Sequence, residues 1–514
     1  DEAGMSRLTR RDFLKFGSLL SGAAALARLA PGGVRALPAS VNRPNILVFV
    51  FDAMSAKDLS LYGYKRRTTP NLERFAQRAT VFNAHYSAAN FTTPGTASLL
   101  TGLYPWTHRA INQSGLVARP LAGENLFRAV GDDYYRLAFS QNMWANYFFG
   151  QFRGSIEEVL SPAAFSLVSH IVGDKVPGDF GLAHRVLDEF LLQGGQAPPA
   201  LVFGLAERLL LRREFARTPA RDYERGLPHT SYYPIFFTLK DIFDGMMATV
   251  GRLRAPSLAY LHDWAPHAPY RPSRQFDRMF ADGWKPKAKP DHILGDHSQP
   301  QHMNARRQNY DEYVANVDFE FGRLLDFLSA RGILDASYVV VTSDHGEMFE
   351  RGVEGHSTPL LYEPVVRVPL LISSPGQAAR RDVNVPTSSV DVLPTLVHLS
   401  GGEAPAWCEG RLLPGLGGDE SASQSVYMMD AQTNPAYQPL RRATVALRRG
   451  DHKLIYYTGF EQYGGQDRFE LYDVHNDPEE LDDLYAESSS TAQELRAELL
   501  ARLAAANAKV AGTG

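Results

Sequence analysis

The chain has 514 residues, with 53 Lys+Arg against 57 Asp+Glu for a net charge of -4, 44% apolar content and a single cysteine, Cys408. One cysteine excludes an intramolecular disulfide and any multi-thiolate zinc or iron–sulfur site, and the near-balanced charge supplies no basic field for nucleic acid. A chain of this length can bury a sizeable core, enough for one large α/β domain with an appendage.

Residues 1–40 read as an address rather than as part of the fold. Arg10-Arg11-Asp12-Phe13-Leu14-Lys15 precedes an apolar run over 16–27 that is too short to span a bilayer, which takes about 20 residues. It suits the middle of a signal peptide and resembles a bacterial twin-arginine export signal, with Ala30 and Ala39 both fitting a cleavage site. No later stretch reads as a transmembrane helix. The expectation is a soluble exported protein, periplasmic, extracellular or on the cell surface of a bacterium.

Next in the chain, Asn45-Ile46-Leu47-Val48-Phe49-Val50-Phe51 is a continuous apolar run, as in a strand buried on both faces of a parallel sheet, and it ends at Asp52. The stretch from about 120 to 255 is expected to be a helical insertion, with helices near 202–211 and 236–250. Val314, Val317, Phe321, Leu324, Leu325 and Leu328 follow a helical period that stops at Gly332. A second buried run, Tyr338-Val339-Val340-Val341-Thr342, ends at Ser343-Asp344-His345, so two carboxylates lie just beyond strand ends, where open α/β sheets bind ligands. Pro369 marks the start or edge of a further strand. Pro- and Gly-rich residues over 403–418 predict a boundary, followed by strands at Lys453-Leu454-Ile455-Tyr456-Tyr457 and Phe469-Glu470-Leu471-Tyr472 and a polar helix from about Ser490.

Candidate chemistry sits in separated pieces. Asn90-Phe91-Thr92-Thr93-Pro94-Gly95-Thr96 runs into a short helix whose first turn could hold an anion near Thr92, and a threonine hydroxyl there can attack phosphorus or sulfur once a metal lowers its pKa.

These pieces, with Thr69-Pro70-Asn71-Leu72, Thr101-Gly102-Leu103-Tyr104-Pro105, His267-Ala268-Pro269-Tyr270, Asp344-His345-Gly346, Tyr362-Glu363, Asp391-Val392-Leu393-Pro394-Thr395 and Glu470-Leu471-Tyr472-Asp473, occur in the order found in the sulfatase family of the alkaline phosphatase superfamily. The resemblance covers nearly all of the chain after the signal. It implies a mostly parallel central sheet sandwiched by helices, over a catalytic domain at 41–402, and a small antiparallel sheet plus helix in a subdomain at 403–514. Where the family carries the cysteine or serine that becomes formylglycine, this chain has Thr92, which has no route to that aldehyde, and the family arginine is replaced by Thr96. The run also resembles that of nucleotide pyrophosphatase/phosphodiesterases, whose nucleophile is an unmodified threonine.

The resemblance implies one metal held by Asp52, Thr92, Asp344 and His345. An imidazole among the ligands suits zinc or manganese better than calcium, which prefers an all-oxygen shell. Asp263, His267 and His356 are candidates for a second metal, or the two histidines for catalysis on the leaving group, giving one or two divalent ions per chain and no formylglycine. Thr93, Thr96 and His108 are candidate substrate contacts. His262 reads as a packed core histidine, Asp318 as structural, Arg367 as a strand brace and Cys408 as an idle thiol. The activity implied is hydrolysis of phosphate mono- or diesters, with sulfate esters as a variant and phosphoryl transfer to an envelope lipid or glycan as the alternative. The partner is then a small-molecule, glycan or lipid ester.

Overall fold

A computed structural model of the chain describes residues 43–167, 222–231, 235–421, 424–486 and 489–511. The signal segment and the helix expected at 202–211 lie outside these residues. Everything described belongs to one compact unit, Pro38–Gly514.

The central sheet has eight strands: β1 (Asn45–Phe51), β2 (Thr80–Phe82), β3 (Tyr135–Ser140), β4 (Glu158–Val159), β5 (Ser257–Asp263), β6 (Ser337–Thr342), β7 (Leu370–Ser373) and β8 (Arg381–Val383). Their order is β8-β2-β7-β6-β1-β5-β3-β4. The core of the sheet is parallel, β1 pairing with both β5 and β6 and β3 with both β5 and β4. Only β7 runs against its neighbours β6 and β2, and it begins directly after Pro369, as a residue without an N–H requires.

The main helices are α1 (Pro70–Ala76), α2 (Thr92–Thr101), α3 (Met143–Gln151), α4 (Leu239–Arg252), α5 (Pro300–Ala330), α6 (Val392–Leu399) and α7 (Ser490–Ala511). Alternation along the strands decides which helix each residue meets. Ile46, Val48, Val50, Leu258, Tyr260 and Val340 share a buried cluster with Ala97 and Leu100 of α2, Phe148 and Phe149 of α3, and Leu393 and Leu396 of α6. Phe51 points the other way, stacking on Phe243 of α4 and meeting Phe321 of α5 edge-on. The long period read between Val314 and Leu328 is the second half of α5, and Gly332 sits just past its end with φ +65°. Asp318 of α5 accepts from the backbone N–H groups of Asn71 and Leu72, so it caps α1 from a neighbouring helix.

The stretch 120–255 is not a purely helical insertion. It supplies β3 and β4 to the central sheet, with α4 following. Arg136 interrupts the apolar run of β3 and so hides the strand in the sequence, and it is accommodated by an ion pair to Glu157 at the sheet edge.

The C-terminal sheet is antiparallel, in the order β9 (Ser425–Asp430), β10 (Ala443–Arg449), β11 (His452–Thr458) and β12 (Arg468–Asp473). Leu454 and Tyr456 face Leu495, Leu499 and Leu503 of α7, while Ile455 and Tyr457 pack with Leu361, Tyr362 and Met348. Among the described residues no helix is long and apolar enough to cross a membrane.

Candidate active site

Two adjacent parallel strands, β1 and β6, deliver Asp52 and Asp344 to the same end of the sheet, and both carboxylates are buried. Directly after Asp52 the chain turns at Ala53, whose φ of +61° lies in the left-handed region that a non-glycine residue occupies at a cost of about 1–2 kcal/mol. The turn is pinned by Tyr310 of α5, whose hydroxyl donates to Ala53 O at 2.7 Å and accepts from Ser55 N at 3.0 Å. The Ala53 amide meets Asp344 Oδ1 at 3.4 Å and Met54 N donates to Ser343 Oγ at 2.9 Å, so one strand end braces the other.

His345 is oriented by its own backbone surroundings. Its Nδ1 lies 2.9 Å from Gly346 O and donates to it, so Nε2 is the nitrogen turned to the site. That Nε2 lies 3.3 Å from Asp52 Oδ1, 3.7 Å from Asp344 Oδ2 and 3.3 Å from Thr92 Oγ1. Thr92 opens α2, whose ten residues are all buried, so the helix aims the positive end of its dipole at this hydroxyl from within the core. Gly95 permits the approach, since a Cβ there would fall 2.3 Å from Asp344 O.

Asn142, which carries no recognisable motif, completes the arrangement. Its Nδ2 donates to Asp52 Oδ2 at 2.5 Å and to Thr92 Oγ1 at 3.1 Å, while its Oδ1 caps α3 by accepting from Trp144 N at 2.9 Å. Because Asn142 follows β3, the strand hidden in the supposed insertion, it could not be placed before the fold was known.

Among the described residues, Asp52, Asp344 and His345 are the one group of three or more His, Cys, Asp or Glu residues whose ligand atoms lie within 4.8 Å of one another. The electrostatics fit a cation. Burial and the neighbouring Asp52 charge raise Asp344, whereas His267, His345 and His262 outweigh burial at Asp52 and hold it well below the usual carboxylate range. Burial opposes charge on His345, but Asp344 and Asp52 lift it to about 9, so Nε2 holds a proton at neutral pH and offers its lone pair once a cation displaces it. Two buried carboxylates, one with an oxygen lacking any hydrogen-bond partner, and an imidazole lone pair are a donor set for a divalent ion. Thr92 Oγ1 stands beside it.

His267 and His356 join this group from one side, their rings 4.9 Å apart and that of His356 4.2 Å from His345. Nδ1 of His356 pairs with Glu347 Oε1 at 3.0 Å, and Nδ1 of His267 with Ala268 O at 2.7 Å. Asp263 does not join them as a second metal site. It is paired in register with Phe51, on the face that meets α4 and α5, and its charge acts on Tyr313 of α5. Both its oxygens lack partners, and burial raises its pKa to about 8.

The remaining sequence candidates make contacts within the protein. Thr93 Oγ1 donates to Gln113 O, and Thr96 Oγ1 lies 3.5 Å from Asp344 Oδ2. His108 is fully buried between Ser98 Oγ and Ala110 N, and burial lowers it to about 3. Cys408 fills the space over Gly102 at the far end of α2 from Thr92, its thiol pushed up to about 12 by burial.

Comparison with known proteins bears on the family and the fold. The family model described as Sulfatase matches residues 44–191 and 219–402, and that of the N-sulphoglucosamine sulphohydrolase C-terminal region matches 356–509. A choline-sulfatase of Rhizobium meliloti is 26% identical over 87% of this chain and 83% of its own length. A multifunctional alkaline phosphatase superfamily protein of Trinickia caryophylli is 24% identical over 73% of this chain and 77% of its own. The fold is similar to that of a phosphonate monoester hydrolase of Agrobacterium radiobacter, with a TM-score of 0.63 and 19% identity over 91% of this chain and 96% of that one.

Proposed function

This chain belongs to the sulfatase family and is an ester-bond hydrolase, and from that premise we propose that it cleaves phosphate mono- or diesters with Thr92 as an unmodified nucleophile beside a divalent metal. The observation that carries the reading is the position of Thr92 Oγ1, 3.1 Å from Asn142 Nδ2 and 3.3 Å from His345 Nε2, at the edge of the Asp52–Asp344–His345 group. A bound cation supplies the positive charge that lowers the pKa of the neighbouring hydroxyl. Asp52, Asp344 and His345 would hold it, and the imidazole favours zinc or manganese over calcium.

The chain's own groups account for the rest. Asn142 donates to Oγ1 and so orients its free lone pair. Attack forms the bond from Thr92 to phosphorus as the bond to the leaving oxygen breaks, and the hydroxyl proton reaches that oxygen through His267 or His356. Water then cleaves the phospho-threonine. Without an arginine on the motif, neutralising the non-bridging oxygens would fall to these histidines and the amide end of α2. The relatives' names stand on both sides, a choline-sulfatase against an alkaline phosphatase superfamily protein, so sulfate ester hydrolysis is the second reading. The Arg10-Arg11 segment supports an exported enzyme.

Parallel rate measurements on an aryl phosphate, an aryl phosphodiester and an aryl sulfate test the reading. A phosphate ester should turn over fastest, and sulfate preferred by orders of magnitude would overturn it.

A further inference from the structure

His262 faces the metal group, and we infer that its Nε2 is a further protein ligand to the same ion, entering from the sheet. The inference rests on the metal-dependent reading above. His262 lies on β5 in register with Val50 of β1 and Ser140 of β3, and it shares the sheet face of Tyr260, with ring centroids 6.1 Å apart. Val50 precedes Asp52 by two residues, so strand alternation sends His262 and Asp52 to the same side and leaves Asp263 on the other.

The ring is fully buried, and neither of its nitrogens has a hydrogen-bond partner. A packed histidine ordinarily satisfies at least one nitrogen, as His85 does with Thr387 and His108 does with Ser98. Nε2 of His262 instead lies 3.7 Å from Asp52 Oδ2 and 3.8 Å from Asp344 Oδ2. These spacings are too long for hydrogen bonds. They match the 3.7 Å between His345 Nε2 and the same Asp344 oxygen. Two ligands on an ion with bonds of about 2.0–2.2 Å stand roughly 3.0–3.6 Å apart, so His262 Nε2 stands just beyond that range from both carboxylates and, lying outside the group of atoms within 4.8 Å of one another, would move in from the sheet to reach an ion held by Asp52, Asp344 and His345. The resulting set, Asp52, Asp344, His345 and His262, carries two imidazoles and is still less like a calcium shell.

Pulsed EPR of the copper-substituted full chain, which counts coordinated imidazoles, tests this. The expected result is two imidazoles in the unaltered protein, one or no bound copper in His262→Gln, and two retained in His356→Gln. Competition with a chelator should show zinc affinity at least 10-fold weaker in His262→Gln, with circular dichroism confirming the fold and His262→Asn substituting if that variant does not fold. One imidazole in the unaltered protein, or an unchanged count and affinity in His262→Gln, overturns the inference. A chain that binds calcium and no transition ion fails the underlying reading instead.

Discussion

Asn142 places its two amide hydrogens on two different parts of the site, one on Asp52 Oδ2 and one on Thr92 Oγ1. It thereby fixes the distance between the Asp52 carboxylate and the Thr92 hydroxyl. Asn142→Ser keeps an acceptor to cap α3 but cannot bridge the two groups, so steady-state kinetics should show kcat lowered by about 10²-fold, as for loss of one positioned donor, with urea stability changed by no more than about 0.5 kcal/mol. Equal activity in the variant would remove Asn142 from the machinery. Asp52, Thr92, Asp344 and His345 were legible before any coordinates because each follows a buried apolar run or sits in a helix-opening motif. His262 and Asp263 show where that reading ends. Both were visible, but which of the two faces Asp52 and Asp344 depends on strand register, and the Asp263–His267 spacing read for a second metal carries no such information.

Strand alternation also explains what was readable among the elements. β1 and β6 are buried on both faces and therefore spell uninterrupted apolar sequence, whereas β3 carries Arg136 and disappears into a stretch with no pattern. In the C-terminal sheet, β12 turns Glu470 inward, where it accepts from the hydroxyls of Tyr362 at 2.8 Å and of Tyr457 and Tyr472 at 3.2 Å and faces His292 Nε2 at 3.4 Å. Burial opposes the charge on Glu470, but His292 and the tyrosine hydroxyls hold its pKa below the ordinary carboxylate value. The unfolded chain therefore binds more protons than the folded one as pH falls past that value. The contribution of Glu470 to stability is present above the unfolded pKa and is lost as pH falls through the depressed one. Urea titrations between pH 4 and 7 should show that Glu470→Gln is less stable than the unaltered chain at pH 7 and that the gap narrows toward pH 4. A gap independent of pH would contradict the assignment.

On the scale of the whole molecule, the C-terminal sheet is tied to the catalytic part by a buried ionic triad. Lys453 Nζ of β11 lies 3.2 Å from Glu363 Oε1 and 2.9 Å from Glu480 Oε1, and Glu480 Oε2 accepts from the Glu363 amide at 2.8 Å. Lys453→Met would leave two carboxylates buried without their cation and should cost about 3–5 kcal/mol in equilibrium unfolding, most of it recovered by adding Glu363→Gln and Glu480→Gln. A cost below 1 kcal/mol would show that the triad is not what joins the parts. The lone cysteine belongs to this scale too, since it packs at the opposite end of α2 from Thr92. Acid-quenched turnover of an aryl phosphate, followed by peptide mass spectrometry, tests the central claim directly. A phosphoryl group is expected on Thr92 in the peptide spanning α2, absent in a Thr92→Ala variant that no longer turns over. An unmodified Thr92 together with retained activity in Thr92→Ala would contradict it.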